Sequence, residues 1–454
     1  MMLHPASLTL LASLASVLCC LALLRLLRRG SAVTQHSTLA GIRALLHPAD
    51  KARFRREDLL AERAISNQRL VRAFGLSNTF VSSDPAVHSA FVSASRTLIF
   101  RATKMGWARF AELASQAVQH ELEVLVNEGD AVAYGPFISA VTLRTILVGL
   151  IGAESSIEDF SRKDIRTATG HINELWTLSK AAAPLPPHLL PQLNAALKRL
   201  LPQVEAFSNP IDIVIPTWET LWRVVATTIA YTHESDELGQ VLSDFYHSPS
   251  DATYRRAAAN STGATPVSAK QIVDEAMRLH PPVKRIGRMR LRYPSLLRVL
   301  QRLPDCLSRH IWGEWVMYLV YSKEVADIQA VLVAPEMWGS SSSQSDDAAA
   351  ETLSFDPARQ AAAALDHQCT TANARKRQEA ASYVFGGGPL RCVASSWAPM
   401  AATLIAGAVL EGADSGKVGS RQFVQFEIRR GGAIGGREGW EGWSVVKKGS
   451  STRV

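Results

Sequence analysis

The chain has 454 residues, 47% of them hydrophobic and 20% charged, with a formal net charge of +8. No long flexible linker divides it, so one large domain with a sizeable core is the better reading than the three domains that length alone suggests. Five cysteines, at 19, 20, 306, 369 and 392, form no CxxC pair and no Cys/His cluster; this excludes a zinc site of the usual spacing and points to a reducing compartment.

The run from Ser7 to Leu24 carries no charge and is followed by Arg25, Arg28 and Arg29. It is just long enough to cross a bilayer once the leucines around Arg25 are included, and the positive flank places the rest of the chain in the cytosol. A cleaved signal peptide would carry charge before the apolar core and small residues after it. Residues 1–30 are therefore expected to be a membrane anchor, and residues 31–454 the folded domain. Helical apolar spacing in Phe110–Val126 and Leu190–Leu201 predicts a mainly α core with small β-sheets.

Residues 210–225 read as an apolar helix that carries an acid beside an alcohol, Glu219 and Thr220. An acid there needs a reason, and a cap or a solvated face is the ordinary one. Residues 272–282 read as a helix ending at Pro281 and Pro282, with Glu275 and Arg278 on one face. Exposed, such a pair contributes roughly 0.2–0.5 kcal/mol. The stretch 285–309 is basic, with Arg285, Arg288, Arg290, Arg292, Arg298 and Arg302, but no aromatic array accompanies it, so no nucleic-acid partner is expected. A solvated surface is the plain reading; an acidic electron donor or anionic lipid headgroups are the others. Residues 339–350 are a low-complexity surface loop.

The segment Tyr383-Val-Phe-Gly-Gly-Gly-Pro-Leu-Arg-Cys-Val-Ala394 sets one cysteine in a glycine-rich loop before an apolar helix expected from about Val393 to Leu410. The positive end of that helix and nearby N–H groups would favour a thiolate. Glycines at 386–388 let the backbone approach a flat ligand, and Phe385 can pack on its face. A buried structural cysteine is the alternative.

This segment resembles the heme-ligand loop of the cytochrome P-450 monooxygenases, Phe-x-x-Gly-x-basic-x-Cys-x-Gly/Ala. Phe385, Gly388, Cys392 and Ala394 match it, whereas Leu390 stands where the family has a basic residue. Two further segments resemble the family in the expected order. Glu219-Thr220 is similar to the acid–alcohol pair of its long central helix, and Glu275-x-x-Arg278 to a buried pair braced by a later arginine, here Arg359 in Phe355-Asp-Pro-Ala-Arg359.

The resemblance implies a single heme domain behind a transmembrane helix. Heme b would be ligated by Cys392, with Phe385 and Gly388 beside it, and electrons would come from NADPH through a reductase, with cytochrome b5 as a second donor. Glu219 would relay protons and Thr220 would hold a water. With Leu390 apolar, Arg285 and Arg288 are the candidates for the heme carboxylates, and Trp107-Ala-Arg109 is another. The implied activity inserts one oxygen atom of O2 into a lipophilic small molecule, in a fungal secondary-metabolite setting at the endoplasmic reticulum. Nothing in the sequence indicates an oligomer. The alternatives are a heme-thiolate isomerase or dehydratase, and an impaired membrane-anchored heme or small-molecule binding protein. Relative to the family, about 34 residues, roughly 289–322, are extra, longer than most structureless loops.

Overall fold

A computed structural model describes residues 33–48, 55–128, 131–202, 209–257, 266–291, 321–339, 347–360, 372–415, 417–418, 422–423, 425–437 and 439–449. The expected membrane anchor, 1–30, and most of the expected insertion, 292–320, lie outside these residues.

Apolar spacing accounts for the helical body. The Trp107–Glu128 helix buries Phe110, Leu113, Ala114, Ala117 and Val118, which recur every third and fourth position. That stripe packs on the Ala398–Ser415 helix, whose Ala401, Leu404, Ile405, Ala408 and Val409 are equally buried. Each large aliphatic or aromatic side chain so buried contributes about 1.5–3 kcal/mol. The Leu221–Thr232 and Asp236–His247 helices complete the bundle around Ala398–Ser415. Close approach there requires Gly407: a Cβ on it would lie 3.0 Å from the Leu242 carbonyl oxygen and 2.9 Å from Tyr246 Cβ. The Tyr134–Ile151 stretch is long and apolar enough to cross a membrane, yet 89% of it is buried inside the molecule, so it is a core helix here. Its one cation, Arg144, is held by Glu121 at 2.7 Å and by the carbonyls of Ile157 and Phe160.

The β-structure is small and peripheral. Strand β1 (Thr34–His36) runs parallel to β4 (Tyr321–Asp327), which pairs antiparallel with β3 (Arg285–Leu291). Near the C-terminus β8 (Ser444–Lys447) lies between β2 (Ala131–Ala133) and β7 (Phe426–Arg429), and β5 (Lys417–Val418) pairs with β6 (Gln422–Phe423). The β3–β4 register runs from Arg285↔Asp327 to Leu291↔Tyr321. Residues 289–291 and 321–322, counted from sequence as insertion, are thus paired strand, and the extra residues leave and return at one hairpin end.

Two helix boundaries differ from expectation. The apolar run 210–225 is two helices, Ile211–Trp218 and Leu221–Thr232, separated at Glu219-Thr220. Pro216 supplies no N–H for the Asp212 carbonyl, which instead accepts from Asn78 Nδ2 at 2.9 Å; the Glu219 carbonyl accepts from Arg223 Nε at 3.2 Å. The helix after the cysteine begins at Ala398 rather than Val393, because turns occupy 393–397.

Candidate functional site

The cysteine loop is built from short turns. Tyr383–Phe385 and Gly388–Leu390 are single 3₁₀ turns, and the Cys392 N–H donates to the Phe385 carbonyl at 2.8 Å, closing the loop on itself. Gly388 has φ +60°, and a Cβ on it would stand 2.4 Å from the Leu46 carbonyl oxygen; only glycine lets the loop lie against the end of the Leu39–Leu46 helix. Tyr383 anchors the other side by donating to Glu379 at 2.9 Å, and Glu379 pairs with Arg43. Cys392 is a free, exposed thiol. Crowding by surrounding protein nevertheless pushes it above the ordinary thiol range, while the Ala394 N–H and the Arg391 charge pull the other way. With the helix starting six residues on, these two groups replace the helix dipole in favouring a thiolate.

Beside this loop lies a cavity of about 610 Å³, lined by one face of the Pro85–Met105 helix, by Arg56, and by Pro389, Arg391 and Val393. Cys392 itself is not in the lining. Among the described residues the lining holds three arginines (56, 96 and 391), three hydroxyls (Ser89, Ser93, Thr97) and no acid. His88, 8% exposed, faces it from a fixed position. Arg63 donates to the Thr79 hydroxyl, which lies 2.8 Å from His88 Nδ1. Burial, then the charges of Arg63 and Arg56, hold His88 below the ordinary imidazole range. The Thr97 hydroxyl donates to the Ser93 carbonyl at 3.1 Å, so the donors that face the cavity are led by its three arginines, which suit a carboxylate.

The arginines expected from sequence for such a role are not in this lining. Arg285 pairs with Asp327 at 3.2 Å on an exposed strand end. Arg288 is buried, its guanidinium pushed down to about 10 by burial, with Glu62 the opposing charge. Arg109 pairs with Glu112 at 2.8 Å, while Trp107 stacks on Trp397 at 5.8 Å.

Glu275, Arg278 and Arg359 are brought together. Glu275 is fully buried and accepts from Arg278 Nε at 2.8 Å and Nη2 at 2.7 Å, from Gln360 Nε2 at 2.8 Å and from the Asp356 N–H at 3.3 Å. Arg359 lies 3.5 Å from the same carboxylate. Two more Arg278 hydrogens go to the carbonyls of Leu332 and Thr352, and its guanidinium lies 5.2 Å from the centre of the Trp338 ring. A Ser268–Gln271 capping box starts the helix and Pro281-Pro282 stop it, and the helix between them is buried along nearly its whole length, both charges included.

Glu219 occupies the break between the two central helices, 3% of its side chain exposed, and Thr220 beside it is half-buried. Two guanidiniums hold the Glu219 carboxylate: Arg223, at 2.9 and 3.0 Å, and Arg437 from the glycine-rich segment between β7 and β8. Arg223 also donates to the Pro282 carbonyl at 2.8 Å, and burial pushes it down to about 10. The Arg437 guanidinium lies 4.6 Å from the centre of the Trp176 ring.

No family model matches the chain, and no curated protein matches it. Among solved structures it is similar to the crystal structure of a mutant cytochrome P450DA heme domain, with a TM-score of 0.51 and 14% identity over 86% of this chain and 85% of that one. The fold is that of a cytochrome P-450 heme domain.

Within this P-450 fold, sequence reasoning missed His88, Arg96, Arg56, Arg223, Gln360 and Arg437. One signal was available: Asp84-Pro85 is a strong helix start, with the Asp84 carboxylate accepting from the Ala86 N–H at 2.7 Å, and it places His88, Val92 and Arg96 on one face. Arg437 gave none, since only tertiary folding brings residue 437 to residue 219.

Proposed function

We propose that this chain is a heme-thiolate monooxygenase that inserts one oxygen atom of O2 into a lipophilic small molecule. The observation that carries the reading is the exposed Cys392 on a self-closed glycine loop next to a cavity lined by three arginines and no acid. Cys392 would ligate the iron, with Phe385 and Gly388 beside the ring. Arg96, Arg391, Arg56 and His88 would take the carboxylates that Leu390 cannot. Bound there, heme supplies the activation of O2, and its thiolate ligand favours O–O cleavage.

The chain's own residues do the rest. Thr220, at the break, offers a hydroxyl that can hold a water. Both Glu219 oxygens accept from guanidiniums, which compete with any proton the group moves. Electrons would come from NADPH through a reductase, with cytochrome b5 as a second donor. The uncharged run 7–24 with its arginine flank supports anchoring at the endoplasmic reticulum, domain cytosolic; a fungal secondary-metabolite role rests on the resemblance of the motifs.

The test is the carbon monoxide difference spectrum of the reduced, membrane-expressed protein beside Cys392→Ser. A red-shifted Soret band, absent from the variant, is expected; folded protein without it overturns the reading. The closure of Glu219 favours one alternative, a heme-binding protein without turnover, which would keep the band and consume no NADPH with any lipophilic ligand.

A further inference from the structure

Residues 383–392 include three consecutive glycines, and Gly386 and Gly388 take φ of +75° and +60°. Such a backbone has little preference of its own. The Cys392 N–H bond to the Phe385 carbonyl closes the loop but does not place it, so the position of the sulfur depends on what holds the loop from outside. One hold is direct: Gly388 lies against the Leu46 carbonyl at the end of the Leu39–Leu46 helix, and Gly387 is wedged between Leu46 and the Tyr383 ring. A Cβ on Gly387 would stand 3.1 Å from Leu46 Cβ and 2.9 Å from Tyr383 Cε1. The other hold is indirect. The Tyr383 hydroxyl donates to Glu379 Oε1 at 2.9 Å, while Arg43 donates to the same oxygen through Nε at 2.7 Å and to Oε2 through Nη2. Arg43 stands one turn before Leu46, so a single helix holds the glycine turn at one point and, through Glu379, the ring that covers it at another. That helix is capped by Thr38, whose hydroxyl accepts from the Gly41 N–H at 3.2 Å, and it packs on β4. Burial, then Glu379, push the Tyr383 phenol up to about 12, and the Arg43 hydrogen bond first of all holds Glu379 below the usual carboxylate range. Donor and acceptor therefore keep their roles throughout the neutral range.

We propose that Arg43 and Glu379 are positioning residues for Cys392: through the Tyr383 ring they fix the glycine turn, and with it the direction in which the loop presents its sulfur to iron. The proposal deepens the monooxygenase reading and rests on it. The Arg43 side chain is 55% exposed and that of Glu379 26%, so the pair adds little to the stability of the whole fold. Its value lies in geometry. A guanidinium that meets a carboxylate through two parallel bonds fixes the plane of that carboxylate, and Tyr383 shares one of its oxygens. Loosening this fork leaves the fold standing and frees the loop.

That separation of ligation from stability is what a merely structural ion pair lacks. The carbon monoxide difference spectrum of the reduced full-length protein gives the ratio of the shorter-wavelength Soret band, from heme without its thiolate, to the red-shifted band; circular-dichroism melting gives stability. Glu379→Gln, Arg43→Gln and Tyr383→Phe should each raise the ratio about threefold or more, the effect of one modest hydrogen bond on the loop's equilibrium. Their melting points should stay within about 2 °C of the wild type. Arg43→Lys, which keeps the charge but not the fork, should fall between wild type and Arg43→Gln. Because the three groups act in series, Glu379→Gln combined with Tyr383→Phe should go no further than the stronger single variant. Arg255→Gln, which removes an equally exposed pair with Asp251 on another helix, should leave the ratio unchanged. An unchanged ratio in Glu379→Gln and Tyr383→Phe, or one that rises only in step with a falling melting point, would overturn the proposal and leave the heme reading intact. A wild-type protein without the red-shifted band overturns both.

Discussion

Glu275→Gln removes one charge from a fully buried polar cluster. The carboxylate accepts three hydrogen bonds from side chains at 2.7–2.8 Å, and a second guanidinium stands 3.5 Å away. Losing one charge-assisted bond costs about 1.5–3 kcal/mol. Leaving Arg278, 1% exposed, without a counter-charge raises the total to about 3–5 kcal/mol. With a urea slope of about 3 kcal/mol/M or more for a chain of this size, the unfolding midpoint should fall by about 1 M. Arg359→Gln is the internal comparison. Arg359 sits farther from Glu275 and keeps another anchor, the Glu351 carbonyl at 3.1 Å, so its loss should cost about 1–2 kcal/mol. A midpoint shift for Glu275→Gln below about 0.3 M, or one no larger than that of Arg359→Gln, would refute the claim that this cluster is held by its complete set of partners.

Three further outcomes follow from the geometry. Gly388→Ala should destabilise by more than about 2 kcal/mol, from the left-handed backbone plus the clash with Leu46, whereas Gly75→Ala, also at φ +60° but with open space around it, should cost only about 1 kcal/mol; equal thermal shifts would count against the close loop contact. His280 is held down to about 4 by burial and then by the Lys284 charge, so between 6.5 and 4 the unfolded chain binds a proton that the folded one does not. Its contribution, up to about 3 kcal/mol, is full above 6.5 and lost as pH falls toward 4, and denaturant titrations of His280→Gln should show a flatter dependence across that window. Replacing residues 292–320 by Asn-Gly should preserve the fold, because Leu291 and Tyr321 are already paired at the hairpin end; loss of cooperative unfolding in that variant would show that the register needs the inserted residues.

The legible parts of this fold were the local ones. Helical spacing identified the Trp107–Glu128 helix to within a few residues, and the Glu275-x-x-Arg278 spacing put its two charges on one face, because a 3.6-residue period decides which side chains are neighbours. Spacing could not say whether that face was buried, which is the difference between a few tenths of a kcal/mol and several. The long apolar run 210–225 read as continuous because its composition is uniform. What interrupts it is one proline, whose freed carbonyl is taken by Asn78 from outside the run, and the Arg223 guanidinium, which captures the Glu219 carbonyl within it. The helix after Cys392 was placed too early for a similar reason. Ala394 to Trp397 can continue a helix by propensity, but the loop clasp at Phe385 and the Trp107–Trp397 stack hold them in turns.

By itself, then, the amino-acid sequence determined the residue types and their order: one cysteine after a glycine run, an acid beside an alcohol, a Glu/Arg pair before two prolines. Tertiary structure decided which charges meet. It paired Arg285 with Asp327, buried Arg288, gathered Arg56, Arg96 and Arg391 around a neutral His88, and carried Arg437 across 218 residues to Glu219. The physical reason is range: backbone periodicity and turn chemistry act over a few residues and are written in neighbours. A buried charge instead needs a partner whose position depends on how every intervening helix packs.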